Sequence, residues 1–292
     1  MKVLKVRYMK SLDKKLIIYD SNCKVCSSLR EVVLRLTPIP GEQVIAYRSL
    51  SPALSCRVDP GRFRNGMALV DTAGGKTIYG EEGVAYIFSS QYKLVDFLLN
   101  FKAVFVLFSF MYKTLAYNRY IIAAPKSRFL CDCFPDRVVQ YRIWYIVISV
   151  IVSIMLTAMF GISLRAFFSN LTAPQAVLQM LLIAGTGWVG QLLLAAIFLR
   201  DKVLDYTGHL GSIMVAGLLI LVPWMLFYAV TGVLNPYLPA VSVFISSACM
   251  LYLHFHRVRH LGLSQVWTMS WFLLLQSGAV GWIVFFHINQ GL

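Results

Sequence analysis

Two cysteines, Cys23 and Cys26, lie three positions apart, directly after a short apolar run. The run over residues 15–20 predicts a buried β-strand, and the apolar spacing over residues 29–36 predicts an amphipathic helix. Cys23 is therefore expected in the first turn of a helix that emerges from a strand. The free N–H groups and the dipole of a helix N-terminus favour a thiolate. Cys23 could then attack a disulfide, and Cys26 could resolve the mixed disulfide.

Asp20 ends the predicted strand, and two roles for it are open. As a buried carboxylate it could tune proton transfer from Cys26, or it could only terminate the strand and satisfy backbone groups. Ser21 or Asn22 is predicted to cap the helix, because both residue types accept hydrogen bonds from free backbone N–H groups. The alternative for the cysteines themselves is that they are two small buried residues on a helix.

The remaining elements of the front part of the chain predict a small mixed sheet. Residues 43–47 are typical of a second strand, and residues 67–79 predict a hairpin around the glycine turn at 71–75. Helices are predicted over residues 81–89 and 94–117. The order β-α-β-β-β-α is that of a thioredoxin-like α/β domain with an additional helical tail.

Together these features resemble the DCC family of thiol-disulfide oxidoreductases, named after an Asp-Cys-Cys motif. The resemblance covers about residues 15–125 and rests on Asp20-x-x-Cys23-x-x-Cys26 after an apolar strand, the turn from Asp71 to Gly75, Gly80, and the tail from Tyr112 to Tyr120. It implies a protein-disulfide oxidoreductase in which Asp20, Cys23 and Cys26 are the motif residues. Two positions depart from the family pattern. Ser21 replaces the usual Gly, and no Pro precedes Met67, where thioredoxins have a cis-proline.

A second cysteine pair, Cys131 and Cys133, follows in a proline-bounded segment. It could exchange electrons with the first pair, or combine with it into a four-thiolate zinc site. It could also consist of unpaired thiols or form a juxtamembrane acylation site. The chain shows no phosphate-binding loop, serine triad or paired-carboxylate motif, and we predict no resident cofactor.

The composition indicates a membrane protein. Hydrophobic residues make up 58% of the chain and charged residues only 14%, with a mean hydropathy of +0.68. The formal charge of +14 is concentrated in residues 1–142, which carry +11. Basic charge beside membrane spans is explained by topology and anionic lipid, so lipid is an expected partner and nucleic acid is not.

Five apolar runs, each near the length needed to cross a bilayer, predict an all-α membrane domain. They are Ile143–Gly161, Val177–Leu199, Leu210–Thr231, Tyr237–Phe255 and Val266–His287, and none contains Lys, Arg, Asp or Glu. Basic residues precede the first run and fill the second and fourth loops, whereas the other loops offer only Arg165. The positive-inside rule then places the N-terminal domain in the cytoplasm and the C-terminus outside.

Two further features of the sequence bear on the membrane. The apolar stretch Phe97–Met111 is short and contains Lys102, which favours a helix packed in the front domain or lying on the membrane surface over a sixth span. Four histidines, His209, His254, His256 and His260, fall near the predicted cytoplasmic ends of two spans. They are compatible with a metal or haem site, but also with an ordinary interfacial rim.

The sequence thus predicts a thioredoxin-like DCC domain over residues 1–125, a juxtamembrane linker over 126–142 and a five-span domain over 143–292. The expected activity is thiol-disulfide exchange on a protein or small-molecule partner at the cytoplasmic face. The membrane domain would be an anchor or a relay to a quinone-like redox partner. The alternative is a membrane transporter or sensor whose cysteine pairs bind a metal ion.

Overall fold

The computed structural model describes residues 12–124, 133–168 and 170–290. Within them the chain is largely helical, with one small β-sheet near the N-terminus. The chain forms two compact units, Met1–Arg142 and Ile143–Leu292.

The sheet of the front unit has four strands in the order β2-β1-β3-β4. Their bounds are β1 Lys15–Tyr19, β2 Val44–Ala46, β3 Ala68–Asp71 and β4 Ile78–Tyr79. Strand β1 pairs in parallel with β2 and antiparallel with β3, and β4 is antiparallel to β3. Parallel neighbours need a crossover connection, which the helix after β1 supplies. The predicted strands and the hairpin are therefore present, with slightly shorter bounds.

The described residues of the front unit form six α-helices. They are α1 Lys24–Leu36, α2 Pro52–Ser55, α3 Pro60–Phe63, α4 Gly80–Gln91, α5 Lys93–Leu99 and α6 Lys102–Ile122. The prediction of one continuous helix over 94–117 is wrong, because α5 and α6 meet at 97°. At the break Asn100, a poor helix former, bonds back to Asp96, and Phe101 takes an extended backbone.

Both faces of the sheet are covered. Successive side chains of a strand point to opposite faces, so Ile17 packs with Val33 of α1 on one side. Ile18 packs with Phe63 of α3 on the other side. Burial on both faces fixes the sheet, and with it the end of β1 from which α1 starts.

The second unit consists of long apolar helices. They are α7 Val139–Leu164, whose first residues belong to the front unit, α8 Ala173–Phe198, α9 Val203–Leu219, α10 Val222–Thr231, α11 Tyr237–His260 and α12 Val266–Gln290. Taking α9 and α10 together as one broken helix, the described residues contain five helices long and apolar enough to cross a bilayer. This agrees with the five predicted spans and indicates a multi-pass membrane protein.

One glycine fixes the close approach of two of these helices. A Cβ atom on Gly187 of α8 would lie 2.6 Å from the Leu275 Cα of α12. Backbone cannot move aside as a flexible side chain can, so the contact requires glycine. Small residues at such crossings are the usual device for packing helices in bilayers.

Candidate functional site

Cys23 is the N-cap of α1. Its backbone is extended, and its Sγ accepts a hydrogen bond from the Cys26 N–H at 3.3 Å. The prediction that Ser21 or Asn22 caps the helix is wrong. Asp20 turns the chain first, because its Oδ1 accepts the Asn22 N–H at 3.0 Å and its carbonyl oxygen accepts the Cys23 N–H at 3.3 Å. The turn therefore delivers the cysteine sulfur itself to the free N–H groups of the helix.

Both thiols of the pair are buried. Cys23 has 0% of its surface exposed and Cys26 has 8%, and both pack against the Tyr120 ring. Neither cysteine forms a disulfide in the structure. The pair therefore occupies a closed site at the junction of β1, α1 and α6, rather than an open surface.

The two thiols differ in acidity. The hydrogen bond with the Cys26 side chain lowers the pKa of Cys23, and this effect outweighs the burial that opposes it. The same contact and the burial of Cys26 raise the pKa of Cys26 well above its usual value. Cys23 is thus the member of the pair that ionises first, in keeping with its predicted role as nucleophile.

Asp20 is buried with two partners from α6. Its Oδ2 accepts a hydrogen bond from the Tyr120 hydroxyl at 3.0 Å and lies 3.7 Å from the Arg119 Nη2. Asp20 is 6% exposed, so this pairing takes place away from water. Of the two predicted roles, the satisfaction of backbone groups is observed at Asn22, and proton transfer from Cys26 stays a prediction.

Arg119 carries a buried charge into the site. Its surface is 2% exposed, and its Nη2 donates a hydrogen bond to the Cys133 carbonyl oxygen. The Nε of the same guanidinium has no hydrogen-bond partner among the described residues. A buried guanidinium with spare donor capacity costs folding free energy, and such groups are typical of functional sites. Its positive charge lowers the pKa of both Cys23 and Cys26.

Sequence reasoning assigned no role to Arg119 or Tyr120, although both fall in the tail from Tyr112 to Tyr120. A cation three residues before the end of a largely apolar helix is the signal that the sequence offers. The partner of that cation lies about 100 positions earlier in the chain, and periodicity gives no information on such pairs.

The second cysteine pair is only partly described. Cys131 lies outside the described residues. The Cys133 carbonyl faces Arg119, but the Cys133 side chain packs among Ile18, Val58 and Phe63 on the sheet face away from Val33. No group of three His, Cys, Asp or Glu side chains within the described ranges is arranged to hold a metal ion. The described part of the chain therefore gives no support to the four-thiolate zinc site.

Gly66 directly precedes Met67, where the sequence has no proline. A Cβ atom there would lie 2.8 Å from the Gly80 Cα and 2.9 Å from the Tyr112 hydroxyl oxygen. That hydroxyl also accepts the Met67 N–H at 3.4 Å. The start of β3 is thus held by the Tyr112 hydroxyl and by the close approach of Gly66 to Gly80.

The four histidines predicted near the cytoplasmic ends of two spans have different surroundings. His254 hydrogen-bonds to Tyr206 at 3.0 Å and stacks on Trp271, and His209 lies 3.0 Å from the Arg257 guanidinium. His256 is exposed, and the His260 ring is 6.2 Å from that of His209. Within the described part of these helices, no group of three His, Cys, Asp or Glu side chains is arranged to hold a metal ion. His254 and His209 instead link neighbouring helices through hydrogen bonds.

Comparisons with protein-family models, curated proteins and solved structures found no match to this chain. The DCC resemblance therefore rests on the motif residues alone.

Proposed function

We propose that this chain is a membrane-anchored thiol-disulfide oxidoreductase whose front unit is a thioredoxin-like domain of the DCC type. The observation that carries the proposal is the capping of α1 by Cys23, whose sulfur accepts the Cys26 N–H and contacts the second thiol. A low-pKa thiol beside a protonated one is what attack and resolution require. The order β2-β1-β3-β4, with a helix between the two parallel strands, supports the thioredoxin-like arrangement.

The proposed reaction has two exchange steps. The Cys23 thiolate attacks one sulfur of a substrate disulfide, so that a Cys23–substrate bond forms, the substrate S–S bond breaks and one substrate thiolate leaves. The Cys26 thiol then loses its proton and attacks the Cys23 sulfur, which forms the Cys23–Cys26 disulfide and releases the second substrate thiolate. Two electrons pass from the cysteine pair to the substrate. In this proposal Asp20 takes the Cys26 proton, and a thiol donor reverses the sequence to regenerate the dithiol.

Arg119 and the burial of the pair set the conditions for this chemistry. The guanidinium provides the positive potential that favours a thiolate inside a site with little water. Because the Cys23 sulfur has no exposed surface, a substrate can reach it only after the side chains around it move. Turnover is then limited by that opening.

The basic loops support the orientation that we propose for this activity. The front unit would face the cytoplasm, where thiols are kept reduced, and the C-terminus would lie outside. A protein or small-molecule disulfide is the proposed substrate, and a quinone-like carrier in the bilayer is the proposed alternative partner of the membrane domain.

The test is a redox titration of the purified full chain in nanodiscs, with thiols counted by alkylation and mass spectrometry at each potential. We expect Cys23 and Cys26 to be oxidised together, and the exposed thiol of Cys56 to be unaffected. Cys23→Ser and Cys26→Ser should each abolish the two-thiol step, and Cys26→Ser should accumulate mixed disulfides through Cys23. Cys56→Ser is the matched control and should titrate like the wild type.

Metal analysis of the same sample tests the alternative. The oxidoreductase should contain well under one ion per chain after purification under reducing conditions. One tightly held ion per chain, together with a Cys23–Cys26 pair that resists oxidation until the ion is removed, would contradict the proposal and favour a metal sensor.

A further inference from the structure

A stripe of large apolar side chains is exposed along α5 and the first half of α6. Phe97 is 60% exposed and Leu107 is 58% exposed, and their neighbours along the stripe are also exposed. The members recur at the spacing of one helix face and continue across the break between the two helices: Leu94, Phe97, Phe101, Val104, Leu107 and Met111. Single exposed apolar residues are common, but a continuous stripe marks an interaction surface.

The opposite side of α6 packs against the rest of the front unit. Ser109 and Lys113 both bind Glu81 of α4, the lysine at 2.8 Å. Further along α6, Thr114, Asn118 and Arg119 are buried in the front unit. A span through lipid would leave these polar groups in hydrocarbon, which is costly. Only α5 and the first half of α6 are available to another partner.

The length of that available part excludes a span. Helices α5 and α6 pass the hydropathy test for a membrane span when taken together, but they meet at 97°. Helix α5 has 7 residues and is about 10 Å long, and residues 102–111 extend about 15 Å. The hydrocarbon core is about 30 Å thick. Neither part can cross it, although their composition is that of a membrane segment.

The chain itself brings this stripe to a bilayer. The first candidate span begins at Val139, soon after the end of α6 at Ile122. Near the start of that span, the Tyr141 ring stacks on Tyr117 of α6 at 5.0 Å, and the Tyr141 carbonyl accepts the Asn118 Nδ2–H at 2.9 Å. Helix α6 is therefore fixed beside the beginning of the helix that enters the membrane.

The charges at the helix starts fit the same partner. Lys93 and Lys102 open α5 and α6 and are both exposed. Lysines that flank an apolar face place their stems along the acyl boundary and their ammonium groups among lipid phosphates.

We propose that the stripe on α5 and α6 lies in the headgroup–acyl boundary of the bilayer that the membrane unit crosses, and that its ligand is the lipid surface itself. The two helices would lie in the membrane interface roughly at right angles to each other, and neither would span the bilayer. This assignment is independent of the thiol chemistry, since the stripe contains none of the residues around Cys23.

The experiment places nitroxide spin labels on the full chain in nanodiscs, in a Cys56→Ser background whose own labelling is measured and subtracted. The labelled positions are Phe97→Cys and Leu107→Cys, and the control is Glu31→Cys, an exposed site on α1 of the same unit. Collision of each label with oxygen, which concentrates in lipid, is compared with collision with a water-soluble nickel complex.

We expect the oxygen-to-nickel ratio at Phe97 and Leu107 to exceed that at Glu31 several-fold, with depths just below the phosphates. Addition of an anionic lipid should move both labels deeper, because it attracts Lys93 and Lys102. A ratio equal to that of the control would overturn the proposal, since the stripe would then face water. Protection from both reagents would also overturn the proposal, because protein would then cover the stripe. A label depth at the bilayer centre would overturn it as well, because the two helices would then form a broken membrane span.

Discussion

Replacing Cys26 tests whether the Cys23 thiolate is tuned by its neighbour. The side-chain hydrogen bond from Cys26 is the largest cause of the lowered pKa of Cys23. Cys26→Ala removes that donor but leaves the Cys26 N–H, which donates to Cys23 Sγ at 3.3 Å. Cys26→Ser is the matched control, because a hydroxyl in the same place can still donate.

The expected size follows from the strength of the lost contact. A hydrogen bond to a charged group contributes about 1.5–3 kcal/mol, and one pKa unit corresponds to about 1.4 kcal/mol. Cys26→Ala should therefore raise the pKa of Cys23 and, at a pH below the midpoint, lower its alkylation rate by about ten- to a hundredfold. Cys26→Ser should leave that rate close to the wild-type value.

The assay is the rate of Cys23 alkylation as a function of pH, read by mass spectrometry of the peptide that contains it. Burial slows the reaction at every pH by the same factor, so the midpoint of the profile reports ionisation rather than access. The Cys23 midpoint should lie below about 8.5, the ordinary pKa of a free cysteine thiol. Equal midpoints for the alanine and serine variants, or a wild-type midpoint at or above that ordinary value, would refute the tuned thiolate and leave two ordinary buried cysteines.

Three further predictions concern packing and topology. Gly66→Ala should lower the free energy of unfolding by about 1–3 kcal/mol, because the Gly80 backbone blocks its Cβ, whereas Gly41→Ala, which meets nothing within 4 Å, should have little effect in the same thermal melt. Gly187→Ala should lower the melting temperature of the chain in detergent, because the added Cβ would collide with the Leu275 backbone. Gly185→Ala should leave the melting temperature unchanged, because its Cβ meets nothing within 4 Å. An impermeant maleimide should label the exposed Cys56 only after cells are permeabilised, and labelling of intact cells would reverse the proposed orientation.

The local part of the site could be predicted from the sequence. A strand followed by Cys23, Cys26 and an amphipathic stripe is recognisable from residue types within about 20 positions, and the structure contains that strand and that helix. The capping residue could not be predicted, because Asp20 forms a turn before the helix and residue propensity alone does not choose between oxygen and sulfur acceptors.

The long-range part could not be predicted. Asp20 meets Tyr120 and Arg119 across about 100 positions, and these contacts depend on where α6 runs across the sheet. The break at Asn100 could not be predicted either. The apolar residues keep their three- and four-residue spacing through the bend, so the sequence pattern is the same as that of one continuous helix. The five candidate spans could be predicted, because a run of about twenty apolar residues without charge is recognisable from local composition and does not depend on contacts with distant residues.

The earlier part of the front unit is bonded to residues 133–136, and these bonds determine where the chain can be cut into fragments. Arg119 binds the Cys133 carbonyl, and Asp136 pairs with Arg64 at 3.2 Å and with Asn65 at 2.6 Å. A fragment ending at residue 125 would discard these acceptors and leave the Arg119 guanidinium short of one more partner, at a cost of about 1–3 kcal/mol. Ending the fragment at Arg142 keeps every one of them, and it also keeps the Tyr141 carbonyl that accepts the Asn118 Nδ2–H. A fragment that retains all of these contacts therefore includes the first turn of the helix that begins at Val139.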